Sequence, residues 1–210
     1  SSEYIHLVAS VEKLAFADRA QHLGDPDFYP VPVERLTSMA HADELAASGG
    51  SEVAAAVGAR SADHLVQVTP DGIAALAKAG VVATLLPCAA FFLKLGRFAP
   101  ARGLIAAGVP VALATDVNPG GGFSPSMPFA MTLACFGMGL TFEEALVAAT
   151  INGAASLDRQ DRVGSLEPGK QFDAVLIDGP AIHLLRVNVP AVLAVFKKGH
   201  LVFQAARAGA

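Results

Sequence analysis

Charged residues are scarce in this chain of 210 amino acids. They make up 16% of the sequence, whereas apolar residues make up 53%. The formal net charge is −4, so there is no excess of basic residues to attract nucleic acid or an anionic membrane surface. These two partners are set aside, and a small molecule is the expected one. The apolar fraction predicts a globular protein with a packed core.

Cysteines are also few, and no long apolar run is present. Cys88 and Cys135 make neither a disulfide framework nor a CxxC metal site, and their apolar surroundings are typical of buried thiols. Glu3, Glu12 and Lys13 interrupt the opening residues, which argues against a signal peptide or a membrane span. We therefore expect a cytoplasmic protein. Its mean hydropathy of +0.48 is high for a monomer, so we also expect a homo-oligomer with a buried interface.

Several common catalytic motifs are absent. The sequence has no Gly-x-Ser-x-Gly element, which leaves a serine hydrolase with little support. Its one glycine-rich loop, at residues 120–122, lacks the Gly-Lys-Ser/Thr of a phosphate loop and does not match the GxGxxG fingerprint. By itself this loop indicates only that backbone can approach a ligand closely.

The chain divides into three parts. In residues 1–39, apolar residues at helical spacing predict an N-terminal amphipathic helix from Tyr4 to Gln21, followed by a proline-containing connector. Residues 40–160 alternate between β-branched runs and helix-sized stretches, which is typical of parallel βαβ units. Residues 161–210 change to β patterning and predict a small β module.

Within residues 40–160, the elements can be assigned one by one. Thr69-Pro70 opens a helix that Gly80 ends, and Thr141 to Glu144 form a capping box for a helix reaching Thr150. The other expected elements are a helix at 51–58, strands within 61–68, 81–86 and 109–115, and a helix ending at Gly108. A complete eight-stranded βα barrel takes roughly 250 residues, and only about four barrel strands can be counted. The expected fold class is therefore α/β, with half of a TIM-type barrel.

Imidazole and carboxylate groups stand where predicted strands end. They are His41 with Glu44, then His64, then Asp116. Because the carboxyl ends of parallel strands open on one face, these groups should converge. Each of them alone could be a satisfied core or surface residue, Asp116 a turn cap and Glu44 a helix first-turn acid. Together they favour metal-assisted hydrolysis, in which a divalent ion lowers the pKa of its bound water to roughly 7.

Several linked motifs carry a specific resemblance. The segments His41-Ala42-Asp43-Glu44-Leu45, Ser61-Ala62-Asp63-His64-Leu65, Ala114-Thr115-Asp116-Val117-Asn118-Pro119-Gly120 and Gly164-Ser165-Leu166-Glu167-Pro168-Gly169-Lys170 are similar to those of the imidazolonepropionase family. The resemblance runs over roughly residues 40–204. It implies an amidohydrolase-superfamily barrel that cleaves a cyclic C–N amide bond.

The same resemblance implies a role for each site residue. His41 and Asp116 would be zinc or iron ligands, and Glu44 and His64 would bind substrate and manage protons. Asn118 with Gly120 and Gly121 would hold the imidazolone ring. The family takes two further ligands from a His-x-His pair, and this sequence contains no His-x-His.

Residues 1–39 resemble a different family. Tyr4-Ile5-His6-Leu7, Lys13 to Arg19 and Leu23 to Phe28 are similar to the large subunit of γ-glutamyltransferase, without its catalytic threonine. We therefore expect a fusion of two unrelated segments. The alternative to a hydrolase is a catalytically inactive chimeric fragment with relic active-site residues. The remaining histidines, His6, His22, His183 and His200, are interpreted as structural or exposed, with His183 the least certain of them.

Overall fold

The structure is a computed structural model that describes residues 50–206. The predicted N-terminal helix and connector, and with them His41 and Glu44, lie outside the described residues. The described elements run in the order α1 (Gly50–Ala56), β1 (Ser61–Asp63), α2 (Pro70–Ala79), β2 (Val82–Leu85), α3 (Pro87–Phe92), α4 (Ala101–Ala106), β3 (Val111–Leu113), α5 (Met127–Met138), α6 (Phe142–Ala149), α7 (Ile151–Ser156), β4 (Ala174–Ile177), a 3-10 helix (Ala181–Leu185), β5 (Val192–Lys197) and β6 (His200–Gln204).

The first three strands form a parallel sheet in the order β1-β2-β3. Ala62 pairs with Ala83 and Ala83 with Val111, so these side chains share the sheet face that contributes to the hydrophobic core. Leu76 of α2 and Leu104 of α4 are fully buried in the same core. The βαβ alternation expected from the sequence is therefore present, and three of the predicted barrel strands lie within the described range.

Helix α2 begins and ends where the sequence predicts. The Thr69 hydroxyl accepts a hydrogen bond from the Gly72 N–H at 3.0 Å, and Pro70 occupies the first turn, where its missing N–H costs nothing. Gly80 closes the helix in the left-handed conformation, with φ 67°. Helix α6 begins with the predicted capping box, in which Thr141 and Glu144 satisfy each other's backbone N–H groups.

The helix expected to end at Gly108 is present as α4, whereas α3 was not expected. Two short helices, α3 and α4, occupy the interval between β2 and β3. The chain leaves α3 through Lys94 and Gly96, both with positive φ, and Pro100 immediately precedes α4. Left-handed residues and a proline interrupt helical hydrogen bonding, so the segment cannot continue as one helix.

Helix α5 was missed by the sequence analysis. It contains apolar residues around much of its circumference, so it shows little of the two-faced contrast on which a periodicity argument depends. Its caps were nonetheless visible: the Ser126 hydroxyl accepts a hydrogen bond from Phe129 N–H at 3.2 Å, and Gly139 ends the helix with φ 73°. Within the described residues, no helix has the length and apolar character needed to cross a membrane.

Two hydrogen bonds connect helix α7 to the amino ends of the strands. Asn152 Nδ2 donates to Val111 O at 2.8 Å, and Arg60 Nε, just before β1, donates to Ala155 O at 2.6 Å. Both contacts lie at the start of a strand. The carboxyl ends of β1 and β3, at the opposite edge of the sheet, remain accessible for a site.

The remaining strands form an antiparallel sheet in the order β4-β5-β6, as expected for a small β module. Lys198 and Gly199 make the β5–β6 turn, and His200 is the first residue of β6 rather than part of the turn. Asp173 secures this turn: a hydrogen bond from the Lys197 ammonium, reinforced by the Lys198 N–H at 2.8 Å, lowers the pKa of its carboxyl to about 2.

Helix α4 contains an exposed glycine that can be tested. A Cβ at Gly103 would meet only the Ile73 side chain, at 3.6 Å, which is ordinary contact. Gly103→Ala should raise the free energy of unfolding by about 0.5–1 kcal/mol, because alanine loses less backbone entropy in a helix. Urea denaturation followed by circular dichroism measures this change in the free energy of unfolding. A destabilised variant would contradict the assignment of Gly103 to a helix interior.

Candidate functional site

Two side chains far apart in sequence meet at the carboxyl edge of the parallel sheet. His64 directly follows β1 and Asp116 comes three residues after β3. His64 Nε2 lies 3.8 Å from Asp116 Oδ2. The imidazole is 54% exposed and the carboxylate 28%, so both groups can reach a ligand from solvent. The expected convergence of strand ends thus brings these two residues together.

Both residues stand on unusual backbone. φ is 66° at His64, 57° at the following Leu65 and 50° at Asp116. Left-handed residues other than glycine are uncommon and cluster at functional sites, where surrounding contacts hold them in place. At β1 the reversal stops the strand at Asp63, shorter than the range allowed by the sequence pattern, and turns the His64 side chain toward Asp116.

The loop after β3 is organised by Asn118. Its Nδ2 lies 2.8 Å from Asp116 O and 3.0 Å from Asp116 Oδ1, and its Oδ1 accepts a hydrogen bond from Gly120 N–H at 2.7 Å. A backbone hydrogen bond from Asn118 N to Gly122 O closes the loop. The amide side chain predicted to bind substrate therefore also fixes the Asp116 carboxylate, with one Oδ1 lone pair left over.

The three glycines of this loop differ in their surroundings. Gly120 is exposed, and Gly121 lies against the Leu93 side chain, 3.3 Å from where a Cβ would stand. A Cβ at Gly122 would fall 2.0 Å from Asp116 O, a distance that no side chain can occupy. Gly122 thus allows the chain to turn back against Asp116. The sequence analysis assigned roles to Gly120 and Gly121 and missed this one.

A second carboxylate, Asp63, borders the pair. Although the residue is exposed, desolvation of its carboxyl raises its pKa, opposed by the neighbouring imidazole of His64. Thr84 is almost fully buried on β2, directly opposite Asp63 in the sheet, and its Oγ1 has no partner within ordinary hydrogen-bond distance. Both were missed, although a threonine inside an otherwise apolar strand was the available signal.

Cys88 follows β2 at the same edge. It is fully buried, and burial together with the charge of Asp116 raises the pKa of its thiol. A buried neutral thiol is a poor nucleophile and a poor ligand. The expectation that Cys88 is a buried structural cysteine agrees with this environment.

The described part of the chain does not by itself complete a metal site. Among residues 50–206, no three histidine, cysteine or acidic side chains are placed to hold one ion, whereas a catalytic zinc usually takes three protein ligands. Asp116 has suitable chemistry for one ligand, since its carboxylate is oriented by Asn118 and remains partly exposed. Predicted ligand His41 and predicted acid or base Glu44 lie outside the described range.

Comparison with known proteins extends this picture. The chain is 52% identical over 163 residues to an imidazolonepropionase of Bacteroides thetaiotaomicron, covering 77% of this chain and 39% of that protein. It is 51% identical over 166 residues to the imidazolonepropionase of Shouchella clausii, covering 78% of this chain and 37% of that one. The chain thus spans about two fifths of the length of these relatives.

Two of the solved structures with a similar fold are deaminases. A zinc-bound adenosine deaminase from Xanthomonas campestris matches with a TM-score of 0.59 and 28% identity, covering 67% of this chain and 36% of the deaminase. Guanine deaminase of E. coli matches in fold with a TM-score of 0.63 at 21% identity, covering 80% of this chain and 45% of its own. The amidohydrolase family model matches residues 32–202. With that match spanning most of its sequence, this chain belongs to the amidohydrolase family.

Proposed function

We propose that this chain acts as a metal-dependent hydrolase of cyclic amide bonds, with an imidazolone-like ring as its substrate class and lactones or esters as further substrates. The observation that carries the proposal is the approach of His64 to Asp116 at the carboxyl edge of the sheet. Imidazolonepropionases about half identical in sequence support the substrate class.

In this proposal, a divalent zinc or iron ion is held by His41 and Asp116. When bound, such an ion makes a hydroxide available near neutral pH. The orientation of the Asp116 carboxylate supports its proposed role as a metal ligand, because Asn118 occupies Oδ1 and leaves Oδ2 on the side of His64. Zinc in the structurally similar adenosine deaminase supports the choice of metal.

His64 is proposed to move protons at the reacting bond, together with Glu44. Its Nε2 points toward Asp116, and its imidazole is exposed enough to contact a substrate. In this role the imidazole donates a proton to the leaving nitrogen. Asn118, Gly120 and Gly121 are proposed to bind the ring, with the glycines allowing the backbone to approach it closely.

His64→Gln tests this assignment. Turnover of an imidazolone or cyclic amide should fall by roughly 10²- to 10⁴-fold, the range for a lost general acid or base. Metal content, measured by plasma mass spectrometry, should stay at the parent's level because His64 is not a proposed ligand. Chelation of the metal should stop turnover in the parent, and added zinc should restore it.

His200→Gln is the matched control, since His200 is exposed on β6 and belongs to none of the proposed binding groups. It should turn over substrate at the parent's rate. Equal rates in parent, His64→Gln and chelated protein would favour the alternative, an inactive fragment whose strand-end residues are relics.

A further inference from the structure

An open cleft lies between the start of α5 and the antiparallel sheet. It has a volume of about 350 Å³ and is bounded by the start of α5, the segment after the 3-10 helix, and strands β5 and β6. Its apolar walls include Pro128, Val189 and Phe203, and its polar groups are Ser126, Arg186 and Asn188. A concave apolar surface with a few polar groups is the usual form of a small-molecule site.

Arg186 is held in place by His183. The guanidinium Nη2 lies 2.7 Å from His183 Nε2, and His183 Nδ1 lies 2.9 Å from Asp178 O. A carbonyl only accepts and an arginine only donates. His183 is therefore neutral here, with its proton on Nδ1, and Nε2 accepts from Arg186. His183, the histidine whose role was least certain from the sequence, thus positions the Arg186 guanidinium.

The position of His183 is itself enforced by packing. A Cβ on Gly179 would stand 2.9 Å from His183 Nδ1, so only glycine lets the backbone pass this close to the ring. The Thr132 hydroxyl of α5 lies 3.0 Å from Leu185 O and joins the 3-10 helix to α5. These contacts make the segment that carries Arg186 a fixed wall of the cleft.

The charge of Arg186 is uncompensated in the part of the chain that the structure describes. No carboxylate within residues 50–206 forms an ion pair with it, and its hydrogen bond to the neutral His183 leaves most of its five donors available. The amino end of α5, with Ser126 at its cap, lies at the same cleft and adds partial positive charge. The electrostatics favour an anion.

We propose that this cleft binds an organic monocarboxylate with a short apolar body, the carboxylate on Arg186 and Asn188 and the apolar part against Pro128, Val189 and Phe203. Arginine suits this task because its planar fork pairs with both oxygens of a carboxylate. Asn188, at φ 62°, stands in a turn immediately after the cation and supplies a further donor.

The test is a titration of the whole ¹⁵N-labelled chain with hexanoate, followed by NMR, with hexanamide as its uncharged counterpart. Hexanoate should shift the resonances of the cleft residues in a saturable way. Hexanamide should bind at least about tenfold more weakly, because it lacks the charge-assisted pair. Equal binding of the two, or no shifts at the cleft with hexanoate, would overturn the proposal.

Four variants test whether hexanoate binds at this cleft. Arg186→Gln should weaken hexanoate at least about tenfold, whereas Arg159→Gln, another exposed arginine, should leave it unchanged. Val189→Asp places a carboxylate in the cleft itself and should block hexanoate. Asp116→Asn should not alter hexanoate binding, since that residue does not line the cleft. Equal weakening by the two arginine variants, or undiminished binding to Val189→Asp, contradicts the assignment.

Discussion

Asp116→Ala should reduce hydrolysis to the background rate and release the bound metal. The reason is that Asp116 is one of the two proposed protein ligands, and removing it lowers both metal affinity and the population of activated water. Titration with zinc under a competing chelator measures affinity, and turnover of a cyclic amide measures activity. Both should fall together, unlike the His64→Gln variant, which should keep its metal.

The backbone of Asp116 requires a control. Because Asp116 has φ 50°, alanine at this position is strained irrespective of any role of the carboxylate. Asp158 offers a match, since it also has positive φ, at 56°, and its side chain is 76% exposed beside Arg60. Asp158→Ala should lose a similar amount of stability, about 1 kcal/mol, yet keep metal and turnover. If both alanine variants lose activity equally, backbone strain rather than a lost ligand is responsible.

The sequence predicted the elements whose boundaries have a local chemical cause. The Thr69-Pro70 start, the Gly80 stop and the Thr141–Glu144 capping box are local hydrogen-bonding solutions, and each appears in the structure. The alternation of strands and helices also predicted the parallel sheet. From that sheet followed the approach of His64 to Asp116, because the ends of parallel strands share one edge.

Other features depend on tertiary contacts that no local pattern contains. Helix α5 is apolar on its buried side, at Met131 and Ala134, and also at the exposed Phe136, and so its periodicity is weak. The Arg186–His183 pair owes its arrangement to Gly179 and to the packing of the 3-10 helix on α5. Asp63 belongs to the site through its position beside His64 and opposite Thr84 across the sheet.

Two predictions about assembly stay predictions. The resemblance of residues 1–39 to γ-glutamyltransferase falls outside the described range, and the match to the amidohydrolase family begins at residue 32. We also propose that the chain forms a homo-oligomer. Support comes from the β module, where Leu176, Val202 and Phe203 are each at least half exposed. Exposed apolar surface is a common site of association.

Gly122→Ala should lower turnover by roughly 10²-fold without removing any group that touches substrate or metal. A Cβ there would stand 2.0 Å from Asp116 O and 3.1 Å from Thr115 O. Both atoms are backbone, so rotation of a side chain cannot relieve the overlap, and the loop must open. Opening breaks the hydrogen bond from Asn118 N to Gly122 O and displaces the Asp116 carboxylate from His64. A misplacement of about 1 Å is enough for a loss of this size.

The free energy of unfolding should fall by about 1–3 kcal/mol, the usual cost of an overpacked site, as measured by thermal unfolding. Gly153→Ala in α7 is the control, because its nearest neighbour, Ala148 O, would be 3.6 Å from the new Cβ. That variant should keep full activity. Zinc affinity shows the cause of slow turnover in Gly122→Ala, because weakened zinc binding indicates a displaced Asp116, as expected. Unchanged zinc binding with parental turnover would show that the loop tolerates a side chain at 122 and that its closure onto Asp116 does not position the carboxylate.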